Sequence, residues 1–239
     1  MFLENLAFDA ADPRRLGRFW EQAVGAQTLT DEPDGFETRL HVLDGPTLDL
    51  CFQRVAGYPT ASPRLHLDLY GGPAQADVVE RLLGLGATHL DIGQGEVPWV
   101  VLADPEGHPF CVMEEREAYQ DTGPIAAIPV RGDDPSRDAG FWAELTGWQE
   151  YAGVAPVSLR HPTGRGPVLE FFTATEPKST KNALHLDVRL EPTDDAEAVQ
   201  HLIEGRGAAR LDVDWGDLPW TVWVDPAGNE FCILPARTS

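Results

Sequence analysis

At 239 residues, the chain is long enough for one large domain or two of ordinary size. Apolar residues make up 42% of it, which is enough for a packed core and too many for a disordered chain. The formal net charge of −21 argues against a nucleic-acid partner, whose phosphates would be repelled, and is compatible with a cationic small molecule. No apolar run approaches the length of a membrane span and no basic signal segment opens the sequence, so we expect a cytoplasmic protein without a membrane partner.

The first quarter of the chain predicts a strand, a helix and three more strands. Residues 3–9 alternate in the manner of a strand. Asp12 and Pro13 then suit the N-cap and the first position of a helix, whose apolar residues recur at helical spacing up to Val24. Gly25 is typical of the residue that ends such a helix. Strand-like segments follow at residues 26–30, 36–43 and 47–54.

The second quarter repeats this order. Residues 64–70 predict a strand, and residues 76–85 predict a helix that stops at Gly86. Further strands are expected at residues 88–92, 99–103 and 110–114. The last two are joined by a tight turn that starts at Asp104. His108 follows this turn, and we expect its side chain to face solvent.

The whole pattern recurs about 120 residues later, which is the length of one ordinary domain. The matched segments lie at residues 12–20 and 134–142, 65–68 and 184–187, 86–91 and 207–212, 98–99 and 219–220, and 104–112 and 225–233. Five collinear matches indicate a tandem repeat, with one domain at residues 1–118, a linker at residues 119–124 and a second domain at residues 125–239. Trp20 and Trp142 occupy matching helix positions and are expected to pack against the sheets.

Each half therefore predicts the order strand-helix-strand-strand-strand twice, an α+β unit whose helices cover one face of a curled sheet. This order resembles that of the vicinal oxygen chelate superfamily. The DP…FW helix start, the LHLDL strand at residues 65–69 and the DPEGHPFCV hairpin at residues 104–112 are similar to the glyoxalase-like domains common in actinobacteria. The resemblance implies two tandem domains, each built from paired βαβββ modules that form a curled sheet with a concave cavity.

The resemblance leaves the pairing of the four modules open, because relatives pair them within a chain or across a dimer. A tandem chain can complete both pairings internally, so we expect a monomer. The superfamily includes isomerases, dioxygenases, thiol transferases and drug-binding proteins, and the resemblance therefore does not select one activity.

Catalytic members of the superfamily hold a divalent metal with side chains of the first, fourth, fifth and eighth strands, usually His and Glu. The corresponding residues here are Asn5 and Ala127, then Asp49 or Cys51 and Glu170, then His66 and His185, then Cys111 and Cys232. Both halves depart from the metal pattern in the same way, so no cofactor is expected. A divalent metal is kept as an alternative, held by His66, Asp49 and Cys111 or by His185, Glu170 and Cys232.

Strand alternation predicts which side chains reach the cavity. The leucines of residues 65–69 share the face toward the helices, whereas His66 and Asp68 share the opposite face. The same rule turns Cys111 and Met113 toward the cavity. Tryptophans that start the seventh strand of each half are placed to stack on a planar or cationic ligand. The predicted ligand-binding residues are His66, Asp68, Trp99, Cys111, Met113, His185, Asp187, Trp220 and Cys232.

These features favour a metal-free small-molecule-binding protein of the sequestration or resistance type, similar to bleomycin-resistance proteins. Its ligand is expected to be cationic or aromatic, and no catalytic residue is assigned. The alternative is an enzyme, a metal-dependent lyase, isomerase or dioxygenase with an atypical His/Cys/carboxylate site. The three cysteines occur in no paired motif and are otherwise typical of small buried residues.

Overall fold

The computed structural model describes residues 1–55, 63–212 and 218–237. Within them, the chain forms sixteen strands and four α-helices, arranged as two curled eight-stranded mixed sheets. The predicted α+β class and the construction of each sheet from paired βαβββ modules are confirmed. In the described part of the chain, no helix combines the length and apolar composition needed to span a bilayer.

The first half supplies eight strands, two α-helices and one short 3-10 helix. They are β1 (Phe2–Ala10), α1 (Pro13–Val24), β2 (Gln27–Asp31), β3 (Gly35–His41), β4 (Thr47–Arg54), β5 (Asp68–Gly72), α2 (Gln75–Leu85), β6 (Thr88–His89), β7 (Val100–Ala103), β8 (Pro109–Glu114) and the 3-10 helix (Glu117–Tyr119). The strand expected at residues 64–70 begins late, because Leu65 makes only an isolated bridge to Val130.

The second half supplies the other eight strands and two α-helices. They are β9 (Ile125–Gly132), α3 (Pro135–Thr146), β10 (Gln149–Tyr151), β11 (Val157–Arg160), β12 (Val168–Thr173), β13 (Leu184–Arg189), α4 (Ala196–Gly205), β14 (Ala209–Arg210), β15 (Thr221–Val224) and β16 (Glu230–Leu234).

Each sheet takes its strands from both halves of the chain. The first sheet has the order β14-β15-β16-β13-β1-β4-β3-β2, and the second has the order β10-β11-β12-β9-β5-β8-β7-β6. Antiparallel pairing of β1 with β13 joins the two modules of the first sheet, and antiparallel pairing of β5 with β9 joins those of the second. The outer modules of the chain thus pair with each other, as do the inner ones. The division into domains at residues 1–118 and 125–239 remains a proposal drawn from the sequence repeat. Each sheet contains strands from both of these ranges.

Local signals set the helix ends. The Asp12 carboxylate accepts the amide of Arg15 at the start of α1, and Asp134 does the same for Arg137 in α3. Gly25, at φ 68°, ends α1 in the left-handed conformation that a side chain disfavours. The apolar faces of the helices pack into one large core with the convex faces of both sheets. Trp20 and Trp142 are each 1% exposed in this core, as predicted.

The indole of each of these tryptophans donates a buried hydrogen bond to a hairpin turn. Trp20 Nε1 lies 3.1 Å from Asp104 Oδ2, and Trp142 Nε1 lies 3.1 Å from Asp225 Oδ2. The second oxygen of Asp104 accepts two amides of its own turn, 2.9 and 3.0 Å away. Since α1 packs on the first sheet and the β7–β8 turn belongs to the second, the bond joins the two sheets.

The expectation that His108 faces solvent is wrong. Its side chain is only 15% exposed, and Nδ1 lies 3.0 Å from Asp104 Oδ2. Burial opposes the charged imidazole, but the hydrogen bond to Asp104 and its charge outweigh burial and raise the pKa of His108. The matching residue of the other turn is Asn229, whose amide nitrogen lies 3.4 Å from Asp225 Oδ2. A turn position next to a buried carboxylate was therefore mistaken for a surface position.

Replacing the indole donor should destabilise the protein without changing its sheets. We expect Trp20→Phe and Trp142→Phe each to lower the free energy of unfolding by about 1–3 kcal/mol, because each leaves a buried carboxylate oxygen short of a donor. Urea unfolding measures this. Trp148→Phe is the matched control, because Trp148 is equally buried and its indole has no hydrogen bond within the described residues. An equal loss in all three variants would contradict a role for the hydrogen bond.

The raised pKa of His108 should make stability depend on pH. Its stabilising contribution is complete below the unfolded pKa of about 6.5 and is lost as pH rises through the higher folded pKa. His108→Asn places in the first turn the residue that the second turn already carries. We expect this variant to lose less stability than the wild type between pH 5.5 and 8.5, measured by urea unfolding. Parallel pH profiles would show that His108 does not titrate on unfolding.

Candidate functional site

Two clusters of His, Asp and Cys lie on the concave faces, one on each sheet. We call His185, Asp187 and Cys232 the first-sheet cluster, and His66, Asp68 and Cys111 the second-sheet cluster. In each, one ligand atom from each residue lies within 4.8 Å of the other two. The clusters arise from the LHLD segments, because alternation puts His and Asp on one face. Parallel pairing then sets Cys beside Asp.

The imidazoles and carboxylates are close but not hydrogen-bonded. His66 Nε2 lies 3.3 Å from Asp68 Oδ1, and His185 Nε2 lies 3.2 Å from Asp187 Oδ1. Three atoms are buried without a hydrogen-bond partner among the described residues: Asp68 Oδ1, Asp187 Oδ1 and His185 Nδ1. Buried polar atoms of this kind ordinarily have a partner, so their presence on the concave faces indicates a binding site.

Both thiols are held in their protonated form. Burial, followed by the charge of Asp68 and a hydrogen bond to it, raises the pKa of Cys111 well above its ordinary value. Burial and Asp187 raise the pKa of Cys232 in the same way. Cys232 Sγ also lies 3.6 Å from His185 Nε2. Neither thiol has the low pKa that a nucleophilic cysteine requires.

The structure corrects the grouping of the metal-ligand alternatives. Asp49 lies in the first sheet and not with His66, while Glu170 lies in the second sheet and not with His185. The two oxygens of the Asp49 carboxylate moreover accept hydrogen bonds from Nε and Nη2 of Arg39, each at 2.7 Å. The error follows from the pairing of the modules across the two halves, which the repeat itself does not reveal.

The two sites differ in the residues around each cluster. On the first sheet, Asn5 Nδ2 donates to Asp187 Oδ2 at 3.1 Å. On the second, Ala127 occupies the place opposite Asp68 and offers no donor. Cys51 lies opposite Ala7 of β1, and its counterpart in the second sheet is Glu170, opposite Pro129 of β9. The face with the first-sheet cluster therefore carries a further thiol, that of Cys51, and the face with the second-sheet cluster carries a further carboxylate, that of Glu170.

Part of the predicted linker covers the second site. Tyr119 is 1% exposed, and its hydroxyl donates to Glu170 Oε2 at 3.3 Å. It packs with Met113 and Cys111 on the concave face. The sequence predicts a polar linker at residues 119–124. The one signal against that prediction is the aromatic side chain of Tyr119 itself. Burial and the nearby charge of Asp68 raise the pKa of Glu170 to about 7.

The tryptophans predicted to stack on a ligand contact the protein itself. The guanidinium of Arg116 lies 5.6 Å from the ring centre of Trp99 and 5.6 Å from that of Tyr119. Trp220 is half-buried and packs against Cys232, Val222 and Leu234. Their binding of a ligand stays a prediction.

A cavity of about 820 Å³ opens beside the second-sheet cluster. His66 and Cys111 form part of its wall, and Val101 supplies an apolar surface. Its other side is formed by the segment before β13, so both halves of the chain contribute. The volume lies within the range of about 300–1,000 Å³ that is usual for small-molecule sites.

Glu170 should make stability fall with rising pH. A carboxyl whose pKa is raised from 4.5 to about 7 destabilises the fold once it is ionised, by an amount on the order of 3 kcal/mol. The loss begins near the unfolded pKa and is complete above the folded one. We expect Glu170→Gln to remove most of the fall in unfolding free energy between pH 5 and pH 8.5. Glu150→Gln, at an exposed position of β10, is the control. A fall as large in Glu170→Gln as in the control would refute the assignment.

Comparison with known proteins agrees with this architecture. Among solved structures, a glyoxalase I mutant from Zea mays is 17% identical with a TM-score of 0.66, over 98% of this chain and 93% of that chain. A candidate dioxygenase from Bacillus subtilis is 15% identical with a TM-score of 0.64, over 100% of this chain and 86% of that chain. At such identities the likeness concerns the fold alone. No match was found among curated proteins. The family model for the glyoxalase-like domain matches residues 5–113 and again residues 127–234, so the chain belongs to the glyoxalase-like domain family, with two copies in tandem.

Proposed function

We propose that this protein binds a small molecule without a metal, in the cavity beside the second-sheet cluster. The observation that carries the proposal is the cavity itself, which has the size of a small-molecule site and reaches His66 and Cys111. Sequestration, as in resistance proteins, requires such a site and no reacting group. The absence of an activated thiol in either cluster supports binding over covalent chemistry.

The surroundings of the clusters also favour a metal-free site. Each cluster offers three protein ligands. Asp49, which was predicted to be a ligand together with His66, is instead paired with Arg39 on the first sheet. On the second sheet, Ala127 supplies no ligand at the first-strand position.

A second candidate function is that of a metal-dependent lyase, isomerase or dioxygenase. It is favoured by the buried Oδ1 atoms of Asp68 and Asp187, which lack hydrogen-bond partners among the described residues and lie beside imidazole and thiol. These donor sets fit a divalent metal such as zinc. His66, Asp68 and Cys111 would hold it on one sheet, and the first-sheet cluster on the other. When bound, the ion would supply a Lewis acid for substrate oxygens.

Metal content separates the two functions. We expect protein purified without chelators to contain far less than one metal ion per chain by mass spectrometry, and added zinc to leave its melting temperature unchanged. Stoichiometric metal that falls in Cys111→Ser would establish the second candidate at the second-sheet cluster, and a fall in Cys232→Ser would place it at the first. Each of these two variants is the control for the other, because the two thiols lie on different sheets.

The remaining features of the proposal come from sequence and composition. We propose a cytoplasmic protein that acts as a monomer. The monomer is supported by the completion of both sheets within one chain. A cationic or aromatic ligand is suggested by the net charge of −21.

A further inference from the structure

Arg131 is one of the residues that line the cavity. It lies near the end of β9 and is half-buried, with its guanidinium 5.7 Å from the ring centre of Phe172. The backbone of Arg131 is held on both sides, since its carbonyl accepts from Arg64 Nη1 and from Asn229 Nδ2, each at 3.2 Å. The side chain therefore leaves the strand from a fixed position.

The other charged groups of the cavity wall already have partners. Lys181 Nζ binds both carboxylate oxygens of Asp9, at 2.7 and 2.8 Å. The Glu106 carboxylate accepts the amides of Ala11 and Asp12, at 2.9 and 2.7 Å. Arg131 has no carboxylate within ion-pair distance among the described residues. The chain has 39 acidic and 18 basic side chains, so a cavity guanidinium left without a carboxylate is unexpected.

We propose that the cavity takes a ligand with an anionic group, a carboxylate or a phosphate, which Arg131 binds through its planar fork of donors. This inference rests on the proposed function and names its ligand class, and at this cavity it replaces the cationic ligand expected from the net charge with an anionic one. Val101 and Ile92 line the same cavity and supply an apolar surface for the body of the ligand. Remote acidic groups do not prevent this binding, because salt screens charges over about 8 Å at physiological ionic strength.

Three probes with one ring system and different charges test the inference. They are 1-naphthoate, neutral 1-naphthamide and the cation 1-naphthylmethylammonium, titrated by naphthalene fluorescence. We expect wild type to bind naphthoate roughly tenfold more tightly than the other two, and Arg131→Gln to remove that preference. Arg210→Gln, at an exposed position of β14, should leave it unchanged. Parallel titration with 1-naphthyl phosphate distinguishes a phosphate site from a carboxylate site.

A second variant keeps the test decisive if Arg131→Gln does not fold. Arg131→Lys retains the positive charge but loses the planar guanidinium that can donate two parallel hydrogen bonds. It should therefore weaken the binding of naphthoate and leave the binding of naphthamide unchanged. A preference for the ammonium probe, or naphthoate binding unaffected by both Arg131 variants, would overturn the inference.

Filling the cavity separates the inference from the proposed function. Val101→Trp should abolish the binding of every probe. If it abolishes naphthamide binding while the Arg131 variants change nothing, the cavity binds small molecules but not through an anion. If no probe binds the wild type, or Val101→Trp changes nothing, the proposed function fails as well.

Discussion

Contact between the two sheets includes one buried hydrogen bond, from an indole to a turn aspartate, which is made once in each half. Trp20 and Trp142 leave helices on one sheet and reach turns of the other. The accepting carboxylates also bind the amides of their own turns, so each fixes a hairpin and a sheet-to-sheet contact together. Strands β8 and β16 begin just after these turns and carry the two cluster cysteines. Parallel pairing of these strands with β5 and β13 then sets each thiol beside its Asp.

Pairing across the halves makes two unequal sites from two similar repeats. Each cluster receives its His, Asp and Cys from one half, whereas its neighbours across the sheet come from the other. The first sheet thus combines His185 with Asn5 and Cys51, and the second combines His66 with Glu170 and the covering Tyr119. A duplicated sequence has in this way produced one face with a further thiol and another with a buried carboxyl whose pKa is about 7.

Prediction from sequence succeeded where the pattern is local. The Asp12 cap, the glycine that ends α1 and the two-residue alternation of the LHLD segments were all interpreted correctly, because each depends on neighbours a few residues away. Prediction failed at His108 and did not foresee the burial of Tyr119. Both lie in polar connecting segments, and only contacts with distant residues bury them. The sets that combined Asp49 with His66 and Glu170 with His185 failed for a related reason, since they assumed that each half completes its own sheet.

Local patterns in the chain were enough to recognise the four βαβββ modules, their tandem repetition and the face of each strand that carries His, Asp and Cys. Hydrogen-bond capping and side-chain alternation are properties of short segments, so they can be recognised without the fold. Which modules share a sheet became known from the folded chain alone, because the alternation of residues is the same whichever edge strands meet. It also decided which charges remain without a partner. Arg131 is one of many arginines in the sequence, and its place in the cavity, with no carboxylate at ion-pair distance among the described residues, follows from the packing of several separate segments around that cavity.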